Sequence, residues 1–215
     1  VSVYYTVITL GVGNGCCIKI SHVGRYMDSS KKNSQALSIA RDIGLATHKD
    51  ERAVTAGVVQ ADAVYFLLGE NISKKDFLEY VVGSCEEFEK PFNKDLLEEK
   101  GSLKDKLKWV YDNEDIDCKD ALSYLGNSSL AIESYPFTVF MFAKYFDEPV
   151  KGLLKTVNFG GDCDTTGAMF GALAGARHGL VFPDKWSDCL KDYDRLENAA
   201  EKIYDLRRLK NEWFQ

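Results

Sequence analysis

The sequence predicts an all-α fold, on three observations. Apolar residues recur at three- and four-residue spacing in one window after another, capping residues stand where those windows open, and no internal repeat or low-complexity linker interrupts them. With 215 residues, 45% hydrophobic and 28% charged, the chain is ordinary for one globular domain with a real core, so residues 1–215 read as a single domain.

Residues 1–10 look strand-like, but β-branched runs can be helical in a core, and a buried helix is expected there. Residues 1–18 carry no charge, yet Ser2, Thr6, Thr9, Gly11, Gly13, Asn14 and Gly15 interrupt the run and no basic residue precedes it, which argues against a membrane or signal segment. The window 33–44 puts Ala36, Leu37, Ala40 and Ile43 on one face. Next, 53–68 aligns Ala56, Val59, Ala63, Phe66 and Leu67, opened by Lys49 or Asp50 and closed by Gly69. Ser73 begins a helix with Phe77, Tyr80 and Val81 inward. A charged stretch over 86–108 leads to the acidic run 112–117, which mimics a calcium loop but lacks its glycine and terminal glutamate; it reads as a solvated connection or a helix start. One last helix is expected over 186–214, with Leu190, Tyr193, Leu196, Ala200, Ile203 and Leu206 aligned, and all four prolines near element ends.

The most informative segment is Gly160-Gly161-Asp162-Cys163-Asp164-Thr165-Thr166. Two carboxylates and a hydroxyl within four positions offer hard oxygen ligands, which suit Mg²⁺ or Mn²⁺ better than zinc. Residues two apart do not share a helix face, so Asp162 and Asp164 can converge only from a bent helix entry, which Gly160 and Gly161 permit. Downstream, Gly167, Gly171, Gly175 and Gly179 recur every fourth residue and form a smooth stripe that a neighbouring helix could approach backbone to backbone. The alternative is plain capping: Asp164 or Thr165 could accept first-turn N–H groups and do nothing else.

Net charge of −6 argues against nucleic-acid binding, which needs a basic stripe. Cysteines at 16, 17, 85, 118, 163 and 189 form no Cys-x-x-Cys pair, and reduced thiols in a cytoplasmic compartment are the simplest account. Gly13-Asn14-Gly15-Cys16-Cys17 can bring bare backbone close to a ligand, or can be an ordinary turn. Cys16 or Cys17 with His48 could be drawn as a thiol nucleophile pair, but no orienting third group accompanies them.

Residues 160–179, Gly-Gly-Asp-Cys-Asp-Thr-Thr-Gly-Ala-Met-Phe-Gly-Ala-Leu-Ala-Gly-Ala-Arg-His-Gly, resemble the C-terminal signature of the ADP-ribosylglycohydrolase family, which includes dinitrogenase-reductase-activating glycohydrolases and J1 crystallins. Gly13-Asn-Gly-Cys-Cys-Ile-Lys-Ile20, Leu45-Ala-Thr-His-Lys-Asp50, Leu125-Gly-Asn127 with Ala131-Ile-Glu-Ser-Tyr-Pro136, and Phe182-Pro183 with Trp186 match further family segments in order. The resemblance implies a compact orthogonal helical bundle lacking its N-terminal helices, and hydrolysis of the glycosidic bond at the distal ribose of ADP-ribosylated substrates. It implies two divalent ions, usually Mg²⁺ with Mn²⁺ possible, held in part by Asp162, Asp164 and Thr165. It would place Asn14, Gly15, Cys16, Cys17, His48 and Ser129 against ADP-ribose, with Glu133 and Ser134 inward. Lys19 stands where the family has arginine, and His22 where proline is common.

The family's N-terminal Thr-Asp-Asp motif does not occur in the sequence, and the chain opens at Val1 shortly before the Gly-Asn-Gly loop. The expectation is a domain incomplete at its N-terminus that alone binds metal weakly and hydrolyses nothing, with no proton-transfer residue assigned. Two other classes stay open: a crystallin-like structural relative, and a module that binds ADP-ribose without cleaving it. The linkage cleaved and the oligomeric state carry no signal in the sequence.

Overall fold

The computed structural model describes residues 11–27, 34–90 and 101–213, so the helix expected over 1–10 lies outside the described residues. Among the described residues the chain forms eleven helices and no β-strand, in agreement with the expected all-α class. In chain order they are α1 (Gly15–Tyr26), α2 (Ser34–Leu45), α3 (Glu51–Leu67), α4 (Lys74–Phe88), α5 (Leu103–Asp112), α6 (Cys118–Leu125), α7 (Ala131–Lys144), α8 (Pro149–Asn158), α9 (Cys163–His178), α10 (Asp184–Ser187) and α11 (Tyr193–Trp213).

Helix starts follow the capping residues. Asp50 opens α3 by accepting from Arg52 N–H, and Ser73 opens α4 in a reciprocal capping box with Asp76. The acidic run resolves as a connection whose last residue, Asp117, caps α6 by accepting from Lys119 N–H. Pro149 is at the first position of α8 and Pro183 caps α10, but Pro136 sits inside α7 rather than near an end. α7 tolerates it because every residue from Ala131 to Ala143 is buried, so surrounding helices hold the backbone in place.

α7 is the axis of the main core, where Phe137, Phe140 and Phe142 meet Phe77 of α4, Leu107 of α5 and Phe170 of α9. A second cluster joins α1, α2 and α3 through Cys16, Ile20, Leu37, Ala40 and Val58. Consecutive residues of α1 serve both: Cys16 packs into the second cluster and Cys17 into the first. The tightest helix contact lies between α1 and α3, where a Cβ on Gly24 would overlap the carbonyl oxygen of Ala61. There the absent side chain lets two backbones touch.

Two expectations are corrected. Among the described residues the glycine stripe of α9 is not a backbone-to-backbone contact along its length: Gly167 is confined, a Cβ there standing 2.8 Å from Val157 of α8, while Gly171, Gly175 and Gly179 meet no described residue within 4 Å. The apolar side of α9 that packs is instead Met169, Phe170, Leu173 and Ala174. The C-terminal helix is also not continuous, since α10 and α11 are separated by a break at Asp192, whose φ is +60°. Its aligned leucines do not enter the core; Leu190, Leu196 and Leu206 are each more than half exposed, because α11 meets the rest of the fold chiefly through α1.

All six cysteines are free thiols, as the spacing suggests. Burial pushes the Cys16 thiol up to about 11 and those of Cys17 and Cys85 well above the ordinary range. Only Cys189 is exposed and only Cys163 is partly so. Under native conditions a disulfide reagent such as dithionitrobenzoate should therefore label these two, with the other four slower by on the order of 100-fold until denaturant is added. Fast labelling of four or more thiols would contradict this packing.

Candidate functional site

Three helix entries meet at one place: residues 12–14 before α1, 126–130 before α7 and 160–162 before α9. Main-chain hydrogen bonds stitch them together, with Asn14 N–H donating to Ser129 O at 3.0 Å, Ala131 N–H to Val12 O at 3.1 Å and Asp162 N–H to Asn127 O at 2.9 Å. Gly13 and Leu130 form an isolated antiparallel bridge within this seam. Three helix N-termini thus present their partial positive charge to one region.

The bent entry to α9 depends on Gly160 and Gly161, whose φ values are +74° and +69°. A Cβ on Gly161 would overlap the Asn127 carbonyl oxygen, so glycine is required there twice over. Asn127 also donates its side-chain amide to Gly160 O at 2.6 Å, closing the turn from both sides. The result is an Asp162 that occupies the N-cap of α9 without capping it.

Asp162 and Asp164 are brought together. Asp162 is half-buried and Asp164 exposed, and the two carboxyls are near enough for Asp162 to act on the charge of Asp164. The Asp162 carboxyl, followed by the Thr165 N–H donating at 2.9 Å, holds the Asp164 carboxyl below the usual carboxylate range. Neighbouring carboxylates offer a cation two negatively charged oxygen donors. Among the described residues no lysine or arginine lies within ion-pair distance of either.

These donors fit a hard divalent ion in kind: oxygen ligands from Asp162, Asp164 and the half-buried Thr165. In number they are few, for no cluster of three or more His, Cys, Asp or Glu side chains gathers among the described residues. Mg²⁺ keeps several waters in such a site. Beside Asp164 opens an apolar cleft of about 390 Å³, walled by Leu153, Leu154, Val157 and Trp186 with Cys163 at its edge. It lies along α8 and α10, away from the Gly13–Cys17 turn.

The other expected contacts are placed as follows. Asn14 is 5% exposed, and its amide donates to Ser134 Oγ at 2.9 Å and to Asp162 Oδ2 at 2.7 Å. An asparagine at an N-cap ordinarily accepts a first-turn N–H, worth about 1 kcal/mol; Asn14 makes no such bond and leaves Gly15 and Cys16 N–H uncapped by its side chain. Cys16 and Cys17 are wholly buried, main chain as well as thiol, so the expected contact of these two residues with a ligand has no exposed surface to form on. His48 comes over the turn, its ring 3.8 Å from where a Gly15 Cβ would stand, with Nδ1 2.8 Å from Thr47 Oγ1. Burial, and then the Lys19 charge, push the His48 imidazole toward its neutral form. Lys19 itself donates to Thr47 Oγ1. Ser129 is half-buried and contributes its carbonyl to Asn14.

Glu133 and Ser134 are buried, as the resemblance implied. Glu133 accepts from Ser128 Oγ at 2.5 Å and lies under Gly126, where a Cβ would come within 2.8 Å of its carboxyl carbon. Asn127 and Ser134 were not foreseen as site residues; Asn127 stands in the matched Gly-Asn pair, which is the one signal that marks it.

The sequence model of ADP-ribosylglycohydrolase matches residues 7–212. The chain belongs to the ADP-ribosylglycohydrolase family. It is 29% identical to "ADP-ribosylhydrolase ARH3" of Xenopus tropicalis, over 93% of this chain and 62% of that protein. Against the same-named protein of Homo sapiens it is 25% identical, over 89% of this chain and 57% of that one. A shorter match to "ADP-ribosyl-[dinitrogen reductase] glycohydrolase" of Rhodospirillum rubrum is 44% identical over 64 residues, 29% of this chain and 22% of that protein. The chain spans less than two thirds of the length of each of these glycohydrolases. No described helix is long and apolar enough to cross a membrane.

Proposed function

We propose that this ADP-ribosylglycohydrolase-family chain carries part of a magnesium-dependent site for hydrolysis of the glycosidic bond at the distal ribose of an ADP-ribosylated substrate. The observation that carries the reading is the meeting of the Asp162 and Asp164 carboxyls with no cationic side chain to offset them among the described residues. Asp162, Asp164 and Thr165 are the residues that would hold a divalent cation; such an ion, when bound, supplies Lewis-acid stabilisation of charge as the bond at the ribose C1 loosens. The protein's own part is to bind and orient. The main-chain N–H of the half-buried Gly15, at the mouth of α1, suits a phosphate oxygen of a diphosphate. A neutral His48 over the same turn can donate or accept a hydrogen bond without adding charge.

Titration of ADP-ribose by calorimetry, with and without Mg²⁺, tests this reading in the chain and in the Asp162→Asn/Asp164→Asn double variant. Mg²⁺ should tighten ADP-ribose binding by about tenfold in the former and leave the latter unchanged. Equal affinity with and without the metal in the unsubstituted chain would overturn the metal role. ADP-ribose binding indifferent to Mg²⁺ would mark an ADP-ribose-binding module, and no binding at all a crystallin-like structural relative.

A further inference from the structure

We propose that Asn14 is a positioning residue that fixes the orientation of the Asp162 carboxylate, with Ser134 as its anchor, rather than a side chain that touches substrate. The inference rests on the reading in which Asp162 holds a cation. Hydrogen-bond chemistry leaves one arrangement. Ser134 Oγ donates its proton to Leu130 O at 3.0 Å, so toward Asn14 it can only accept. An ionised Asp162 likewise only accepts. Both neighbours therefore require protons, and the Asn14 Nδ2 group supplies two. An aspartate of the same shape would supply none.

Both amide protons are committed inside the fold, and the side chain is 95% buried by its 5% exposure, so little of it is left for a ligand to meet. The anchor is equally fixed: Ser134 is fully buried on α7, and the Asn14 main chain is tied to Ser129 beside it. With Asn127 O holding the Asp162 N–H, the residue is gripped at its backbone by one asparagine and at its carboxylate by another. Asn14 engages Oδ2, which leaves Oδ1 and the second lone pair of Oδ2 as the oxygen sites with which Asp162 would meet a cation. Partners of this kind, one step removed from the ion, commonly change metal affinity by 10- to 100-fold when lost.

Two measurements on the full chain test the proposal. In the ¹⁵N–¹H spectrum, Asp162→Ala should move one of the two Asn14 Nδ2 protons upfield and leave its partner, bonded to Ser134, in place; movement of both or of neither overturns the contact without any metal present. Mn²⁺ affinity, read from the free-ion electron paramagnetic resonance signal, should fall about tenfold in Asn14→Ala and about threefold in Ser134→Ala. A purely structural Asn14 would lower the thermal midpoint yet leave Mn²⁺ affinity within twofold where the protein is folded, and that result sinks the proposal. Should Asn14→Ala fail to fold, Ser134→Ala and the Asp162→Ala spectrum still decide. If Asp162→Ala leaves Mn²⁺ affinity unaltered, the metal reading itself fails and the positioning role falls with it, even with the amide contact intact.

Discussion

Replacing Gly161 by alanine should cost about 3 kcal/mol of stability and, in whatever folded protein remains, remove the cation binding proposed at Asp162. Two penalties act together. The backbone there has a φ of +69°, which a β-carbon resists, and the added carbon would overlap the carbonyl oxygen of Asn127. That oxygen cannot give way cheaply, because it accepts the Asp162 N–H at 2.9 Å. Relief therefore means moving residues 160–162, and the carboxylate moves with them. Urea unfolding gives the first quantity and Mn²⁺ titration the second. Gly160 is the internal control: it also has a positive φ, 74°, but a β-carbon there meets no described residue within 4 Å. Gly160→Ala should cost about 1 kcal/mol and keep the site. Equal penalties at the two positions would mean that the Asn127 contact does not shape the turn.

The second large effect is expected at the start of α3. Asp50 and Arg52 are 5% and 1% exposed and pair at 2.8 Å, with Arg52 Nε and N–H also donating to Asp50 Oδ1 and Nη1 donating to Gly101 O. Asp50→Ala removes the helix cap and leaves a buried guanidinium without this carboxylate, which should cost about 3–5 kcal/mol. Desolvation makes the loss lopsided. Removing both charges as Asp50→Leu/Arg52→Met should recover part of the deficit, because no guanidinium is left without this carboxylate, while Glu89, which Arg52 also steadies, loses that cation. Chemical denaturation of the single and double variants closes the cycle. A double variant as unstable as Asp50→Ala would place the stability in the cap and in the Gly101 contact instead.

How much of this could be read from residues alone differs by feature. The bent entry to α9 was legible because two glycines stand directly before the carboxylates, and both adopt a left-handed backbone. Helix starts at Asp50 and Ser73 were legible for the same kind of reason, a local hydrogen bond written in adjacent residues. The role of Asn14 was not. Its two acceptors lie 120 and 148 residues away, and no local pattern distinguishes an amide turned toward its own helix from one turned toward another. Asp192 hid the break in the C-terminal helix because a non-glycine residue at φ +60° leaves no compositional mark. The stripe on α9 misled in the other direction: small residues permit close approach without requiring it, and the close approach occurs at Gly24 instead.

The division of Cys16 and Cys17 between two hydrophobic clusters has a consequence for recognition. One residue step turns about 100° around a helix, so neighbouring side chains can pin a single rod to two independent masses. α1 is thereby locked against both rotation and sliding, and the Gly13–Gly15 entry, rigidly continuous with it, keeps its shape before anything arrives. A ligand meeting that entry would lose few protein degrees of freedom on docking, so affinity there should track the fit of the ligand itself, with little induced rearrangement to tune it.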